Sequence, residues 1–425
     1  MTSSRYYIYL EHPESGEWVT VGRYSFESER KIGQFKYAKS YLQSDAPIAI
    51  DPINLPLLDI PFVSERYGGM HDVLRDACPD SWGRALLQRE HGLSDQSPHV
   101  SFLLKANNAD RWGALAIGTS KNPSVSHLAS PKLPQLEVLA EELLAMSQRL
   151  PPVDARLRRR LMATPSLGGA RPKATVQDGD DFWLVKPVLP SDTHDVPLLE
   201  HAMAQWASAA GLRFAATGHD SVAQLKGAGI SVLRSLRFDR KNGRRLMTVS
   251  GATMLQAQYP SALPTDHPRW SYPRLANTLA KIGAPREDWL ELFDRMVFNA
   301  LIGNDDDHPR NHSAVYVPQE GTWRLAPAYD VVPELQFTPK RLSMMLSQGR
   351  FDISRENVLG DAMRFGFASQ QQAQAHLDAL LVRLADTFES IESLLTEEMH
   401  NLMKDRIAHN MKILGPVPGS FTYTP

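Results

Sequence analysis

Three acids, a histidine and two asparagines crowd into eight residues, Asn304-Asp305-Asp306-Asp307-His308-Pro309-Arg310-Asn311, straight after an apolar run from Trp289 to Ile302. Nineteen residues past Asn311, an isolated Asp330 follows Leu325-Ala326-Pro327-Ala328-Tyr329. An acid with an asparagine five positions on, then a separate acid, suits phosphoryl transfer. The first acid orients the accepting hydroxyl, and the amide and the last carboxylate hold magnesium on nucleotide phosphates. Asp306 fits that register, because neither Asp305 nor Asp307 has an asparagine five positions later. The Gly and bidentate Glu of an EF-hand are missing, and His308 lacks the His or Cys companion a zinc site needs. A solvated acidic turn is the plain alternative. His308 itself reads as a structural histidine that braces the loop by hydrogen bonding.

The other parts of such a machine have candidates in chain order. Ser166-Leu167-Gly168-Gly169-Ala170 could cradle phosphates, since paired glycines let backbone N–H groups approach without a Cβ in the way. Its bland reading is a surface loop between a helix and a strand. Lys186 ends the apolar run Trp183-Leu184-Val185 and could present its ammonium to phosphate oxygens, or simply guard an edge strand. Glu200, at the start of a helical stretch, could fix that lysine, with Asp192 and Asp195 as competitors; an acid there also suits the helix dipole.

The positioning elements can be read from periodicity. Tyr6–Leu10, Trp18–Tyr24, Phe35–Ala38 and Pro47–Ile50 read as strands, Leu74–Glu90 as a helix and Ala114–Gly118 as a closing strand. A Pro- and Ser-containing stretch, Lys121–Gln135, reads as a linker. Beyond it come a helix over Leu136–Leu150, strands at Ala174–Val176 and Phe182–Pro187 around a turn at Asp178–Asp181, a helix over Leu198–Ala210 stopped by Gly211, and a strand over Ser231–Phe238. From about Pro273 the chain is mainly helical. The expected organisation is an α+β subdomain over 1–120, a nucleotide-binding lobe over 136–240, a helical lobe over 241–415 and a flexible tail over 416–425.

At 425 residues the chain can bury several sizeable cores. A net charge of -2 argues against a surface that is one nucleic-acid footprint. The single cysteine, Cys78, permits no internal disulfide and favours a reducing, cytoplasmic setting. No apolar run reaches the roughly 18 residues that span a bilayer, and no membrane association is expected.

The ordered motifs resemble the HipA-type serine/threonine kinases, the toxins of bacterial toxin–antitoxin pairs. The resemblance rests on Ser166–Lys173, Trp183–Pro187, Arg237-Phe238-Asp239-Arg240, Asn304–Asn311 and Leu325–Asp330, with Phe35-Lys36-Tyr37 and Leu74–Arg84 in the first subdomain. It implies a protein-kinase/PI-kinase-like bilobal α+β fold with an extra amino-terminal subdomain. It also implies ATP and Mg2+ as cofactors, with Asp306 as catalytic acid/base and Asn311 and Asp330 as magnesium ligands. Lys186 would lie on the phosphates and the Leu236-Arg237-Phe238 backbone on the adenine. Ser166 would be an autophosphorylation site whose phosphate drives the loop out of the pocket, with Arg156, Arg158, Arg159, Arg160 and Arg171 as nearby cations. A protein substrate such as an aminoacyl-tRNA synthetase is implied. So are a HipB-like helix-turn-helix antitoxin that alone reads DNA, and a homodimer within that complex. Two departures are Arg171-Pro172, where the family usually has Gln and Glu, and Arg310, where it usually has Lys. The run Asp305–Asp307 is also fuller than usual. A kinase-fold co-repressor and a small-molecule kinase are the alternatives.

Overall fold

The structure is a computed structural model that describes residues 3–125, 130–163, 169–222, 229–259 and 268–416. The chain divides into two compact units, 1–191 with 218–254 and 315–321, and 192–217 with 255–314 and 322–425.

In the first unit, β1 (Ser3–Glu11), β2 (Trp18–Glu27) and β3 (Ile32–Tyr37) form an antiparallel meander. Gly16, at φ 71°, supplies the left-handed residue of the first turn. The short helix α1 (Lys39–Leu42) leads to β4 (Phe62–Ser64), and β5 (Leu115–Gly118) closes the sheet in the order β4-β3-β2-β1-β5. The expected strand at Pro47–Ile50 does not form. Its amides are satisfied by phenol oxygens instead of a neighbouring strand: Ile48 N–H donates to the Tyr41 hydroxyl (2.9 Å) and Ile50 N–H to that of Tyr37 (3.1 Å). The expected helix at Leu74–Glu90 is two helices, α2 (Asp72–Asp76) and α3 (Ser81–His91), broken around Pro79. Helix α4 (His99–Lys105) follows.

Helices α5 (Leu136–Ser147) and α6 (Ala155–Ala163) cover a second sheet. That sheet comprises β6 (Ala174–Asp178), β7 (Asp181–Pro187), β8 (Thr217–Val222) and β9 (Ile230–Leu236) in the order β6-β7-β9-β8. The turn between β6 and β7 is tight, with Gly179 at φ 58° and Asp178 paired to Asp181. One core joins Trp82 and Leu86 of α3, Leu139 and Leu143 of α5, Leu157 and Leu161 of α6, and Val176, Val185 and Val232 of the sheet. Each such fully buried apolar side chain stabilises the fold by about 1.5–3 kcal/mol. Strand pairs β10 (Arg240–Lys241) and β11 (Arg244–Arg245), then β12 (Thr248–Ser250) and α8 (Gly251–Leu255), follow.

The second unit is mainly helical. It contains α7 (Val196–Ala209), α9 (Tyr272–Lys281) and α10 (Arg286–Ile302), then β14 (Thr322–Leu325), α11 (Arg355–Gly360), α12 (Gln370–Thr387) and α13 (Glu397–Leu414), while β13 (Ser313–Val317) begins in this unit and ends in the first. Side-chain oxygens of Asp195, Ser271, Ser354, Ser369 and Thr396 cap the amino termini of five of these helices. Leu377, Leu380, Leu381 and Leu384 are buried on one face of α12; the same apolar spacing continues to Phe388, Ile391 and Leu395, but α12 stops at Thr387 and a 3-10 helix carries Phe388 and Ile391.

A buried ion cluster ties the first sheet's closing region to the segment after β9. The Arg237 guanidinium pairs with both Asp239 and Asp110 and donates to Thr175 Oγ1 (2.9 Å). Asp239 also accepts from Arg240 and from the Gly113 amide (2.8 Å). Burial alone would raise the Asp239 carboxyl, but the charges and hydrogen bonds of Arg237 and Arg240 outweigh it and hold the group down at about 2. Its stabilising contribution is therefore present above the ordinary carboxylate value of about 4 and is lost as pH falls towards about 2. We expect Asp239→Ala, which leaves buried arginine charge uncompensated, to cost about 3–5 kcal/mol in urea unfolding at neutral pH. Removing the exposed Arg350–Glu356 pair should cost no more than about 1 kcal/mol.

Candidate active site

Helix α10 delivers the acidic segment, and its carboxyl end is fixed before that segment begins. Asn410 of α13 donates to the carbonyls of Ala300 (3.1 Å) and Leu301 (2.9 Å), and Arg406 donates to that of Ile302 (3.1 Å). These bonds satisfy acceptors that a helix end otherwise leaves open. Gly303 takes the left-handed conformation, φ 71°, that stops the helix. A Cβ there would lie 2.6 Å from Arg406 Nη1.

The three acids then separate by environment. Asp307 is buried, accepts from the Tyr272 hydroxyl and meets His312 Nε2 at 2.8 Å. Tyr272 is held in turn by the Asn299 amide at 2.8 Å, and Asn299 by Asn304 at 3.1 Å. Asp305 is anchored through its carbonyl, which accepts from Ser343. Asp306 points to solvent. Its carboxyl is pushed up to about 7 by desolvation and then by the carboxylates of Asp330, Asp305 and Asp307.

The Asn311 side-chain amide donates to the Asp306 carbonyl (3.2 Å), and its amide oxygen is left as the acceptor. Asp330 sits in the left-handed region at φ 59°, a conformation that costs a non-glycine residue about 1–3 kcal/mol and concentrates at functional sites. The run before it is clamped on both sides. Ala326 O accepts from Arg295 (2.8 Å), and Ala328 exchanges 2.9 Å backbone bonds with Arg213 and Ala215. Tyr329 donates to the Arg310 carbonyl (2.7 Å), joining this run to the catalytic-type segment. The second unit therefore brings Asp306, Asn311 and Asp330 into one neighbourhood. His308, nearly buried, packs its ring against Tyr259 (4.3 Å between centroids) and Trp270 (6.2 Å). Glu200, on α7, is buried in the same unit, and its competitor Asp195 is occupied as the cap of that helix.

The first unit holds the remaining candidates. Lys186 is 4% exposed on β7, an interior strand paired to β6 and β9. It is not an edge-strand guard. Gly169, at φ 73°, and Ala170 lie at the described end of the glycine-rich loop; Ser166 and Gly168 lie outside the described residues. Arg237 N–H bonds the Phe182 carbonyl (2.8 Å), its carbonyl accepts from Arg240, and its side chain is committed to the ion cluster. Phe238 meets Trp112 edge-on at 5.0 Å. Arg158 pairs with buried Glu142 and so belongs to the packing of α6.

Sequence reasoning missed α6, whose Leu157 and Leu161, one turn apart, were the available signal. It also missed Tyr272, Asn299 and His312, the residues that immobilise Asp307. Among the described residues no group of three or more His, Cys, Asp or Glu side chains could hold a metal ion, and no helix is long and apolar enough to cross a membrane.

Family models for the HipA-like C-terminal domain and the HipA N-terminal domain match residues 165–392 and 17–118. A curated Sinorhizobium fredii (strain NBRC 101917 / NGR234) protein named "Putative kinase Y4dM" is 32% identical over 170 residues. That match spans 36% of this chain and only 38% of the relative's length. Among solved structures, HipA of Shewanella oneidensis MR-1, determined with HipB and operator DNA, aligns over 97% of this chain and 98% of its own. The identity is 18% and the TM-score 0.69, so the α+β, kinase-like fold is shared.

The carboxylate crowding makes a direct prediction. Between the ordinary carboxylate range and about 7, the folded chain binds more protons at Asp306 than the unfolded chain does, so this group lowers stability as pH rises across that window. Carboxyl NMR of the metal-free protein should show Asp306 titrating well above an ordinary aspartate, and Asp330→Asn should move it down. An unshifted titration in both proteins would remove the electrostatic coupling.

Proposed function

The chain belongs to the HipA family, and from that premise we propose that it is an ATP- and magnesium-dependent serine/threonine protein kinase acting as the toxin of a toxin–antitoxin pair. The observation that carries this reading is the unequal fate of the three adjacent acids. Asp307 is consumed by Tyr272 and His312, whereas Asp306 stands at the surface beside Asp330 and Asn311.

In this reading Asp306 accepts the proton of the attacking hydroxyl and aligns it. Asn311, through its amide oxygen, and Asp330 hold the cation. Their hard oxygen donors suit magnesium, which takes one or two carboxylates and completes its shell with phosphates and water. Magnesium held there would supply positive charge to offset the charge that develops on the phosphates. Lys186 holds the ATP phosphates, and Glu200 is a proposed nucleotide-site residue. Gly168 and Ala170 offer their amides to phosphate, Gly169, whose own amide is given to Asp80, forms the turn between them, and the Leu236–Phe238 backbone meets the adenine. His308 keeps the loop in place by ring packing. The Arg237 side chain acts at one remove, by holding that backbone through the buried ion cluster.

The protein acceptor proposed is a translation factor such as an aminoacyl-tRNA synthetase, with Ser166 as the autophosphorylation site. A HipB-like antitoxin is the partner through which any DNA is reached, within a complex that contains a homodimer of this chain. The setting is cytoplasmic. The intact set of Lys186, Asp306, Asn311 and Asp330 favours this over a catalytically silent co-repressor, and over a small-molecule kinase the family favours a protein acceptor.

Asp306→Ala should leave the fold intact and lower transfer by roughly 10²–10⁴-fold, while Asp305→Ala is milder; equal losses would mean that the register is wrong. Mass spectrometry after incubation with ATP and magnesium should find phosphate on Ser166 of the unmodified chain and none on the Asp306→Ala chain. Absence of phosphate from every protein tested would favour the co-repressor.

A further inference from the structure

Helix α5 ends in a turn that strains one residue. The Leu150 amide donates to the Ala145 carbonyl (2.8 Å) and the Arg149 amide to that of Met146 (3.3 Å). This paired closure puts the first residue past the cap in the left-handed region, where glycine is the usual occupant. Here that residue is Arg149, at φ 59°. The residue after it commonly folds its apolar side chain back onto the helix, yet Leu150 is 48% exposed. An arginine and an open leucine therefore stand where local stability favours a glycine and a covered apolar group.

Both residues line a cavity of about 280 Å³ between α3, α5 and α6. Buried Leu86 and Met146 and partly buried Met162 give it an apolar floor, and exposed Arg89 and Arg149 stand at its mouth with Leu150. Arg158 also lines it, but its guanidinium is committed to buried Glu142 and to the Leu150 carbonyl (2.7 Å). Arg89 and Arg149 have no carboxylate within ion-pair distance among the described residues, and no carboxylate lines the cavity. Surplus positive charge around an apolar floor calls for an occupant that is apolar at its centre and anionic at its edge. The residue types agree. Arginine and methionine are enriched at protein–protein contacts while Lys, Asp and Glu are depleted, and methionine adapts its shape to an incoming group. The volume lies below the roughly 300–1,000 Å³ of a typical small-molecule pocket, which suits a single inserted side chain.

We propose that this groove is a docking site for a protein partner: an acidic segment inserts one large apolar side chain onto Leu86, Met146 and Met162 and sets its carboxylates against Arg89 and Arg149. A buried anchor ringed by charge is the arrangement in which a few residues carry most of the binding energy. Docking here does not depend on phosphoryl transfer.

The test selects phage-displayed linear peptides on the full-length chain, with peptides that also bind the Met162→Glu chain subtracted. Selected peptides should carry Leu, Phe, Trp or Met beside Asp or Glu. A synthetic, fluorescein-labelled copy should bind more weakly as salt rises from about 50 to about 300 mM, because exposed charges are screened. Arg89→Glu/Arg149→Glu should weaken binding about tenfold or more, since like charges then face each other across the contact. Arg149→Gly separates docking from folding. Glycine relieves the left-handed residue, so the thermal midpoint should rise, while peptide binding falls about threefold. Should the Met162→Glu chain fail to fold, the Arg89→Glu/Arg149→Glu chain, altered only at exposed positions, serves for the subtraction. The docking site is overturned by the absence of any enriched peptide, by enriched peptides that lack acids, or by equal binding to the unmodified and Arg89→Glu/Arg149→Glu chains. Binding of phosphatidylglycerol vesicles in place of peptide, lost in the same variants, would overturn it too and assign the groove to a lipid surface.

Discussion

A buried carboxylate governs the acidic segment. Asp307 has no solvent to stabilise its charge, so it must be satisfied by the Tyr272 hydroxyl and the His312 ring, and those groups come from α9 and from the residue just past Asn311. Once Asp307 is committed inward, the chain geometry turns Asp306 outward, and the Asn311 amide can reach back to the Asp306 carbonyl. The desolvation of one acid therefore determines which of its neighbours is available for chemistry. The Tyr272 phenol is itself pushed well above its ordinary pKa by burial and by Asp307, so it stays a donor. Burial and the nearby carboxylates of Asp330, Asp305 and Asp307 make the charged form of Asp306 costly, which is what raises its pKa.

The first unit shows the complementary strategy. There the charges are opposite and dry. Arg237, Asp239, Asp110 and Arg240 neutralise one another and fix the backbone on which the adenine contact is proposed. Asp76 performs a similar service further on, accepting from the Ser250 amide (2.9 Å) and the Thr253 hydroxyl (2.7 Å). The amino-terminal α+β region is thus bound to the second sheet of its unit by a shared apolar core and by ionic ties.

Much of this was legible in the sequence where the chemistry is local. Asp306 and Asn311 are five residues apart, and the apolar run that becomes α10 points directly to them. Strands with alternating burial, such as β3, and the glycine turn at Gly179 were equally plain. What could not be read depends on partners far along the chain. Arg237 and Asp110 are 127 positions apart, and Trp82 and Gly169 meet only in the fold. Pro47–Ile50 misled because a short apolar run with two isoleucines says nothing about where the amides find acceptors, and the tyrosine hydroxyls supplied them. The arginine-rich α6 was missed because its charges mask two leucines, Leu157 and Leu161, that reach the core.

The claim that Asp306, Asn311 and Asp330 assemble around a divalent cation is tested most directly by manganese as a paramagnetic stand-in. Binding of Mn2+ would be followed by electron paramagnetic resonance in the presence of a non-hydrolysable ATP analogue. The account predicts a bound-manganese signal in the unmodified chain that weakens in Asn311→Ala and in Asp330→Asn and disappears in the double variant. Full manganese binding by a folded double variant would contradict it.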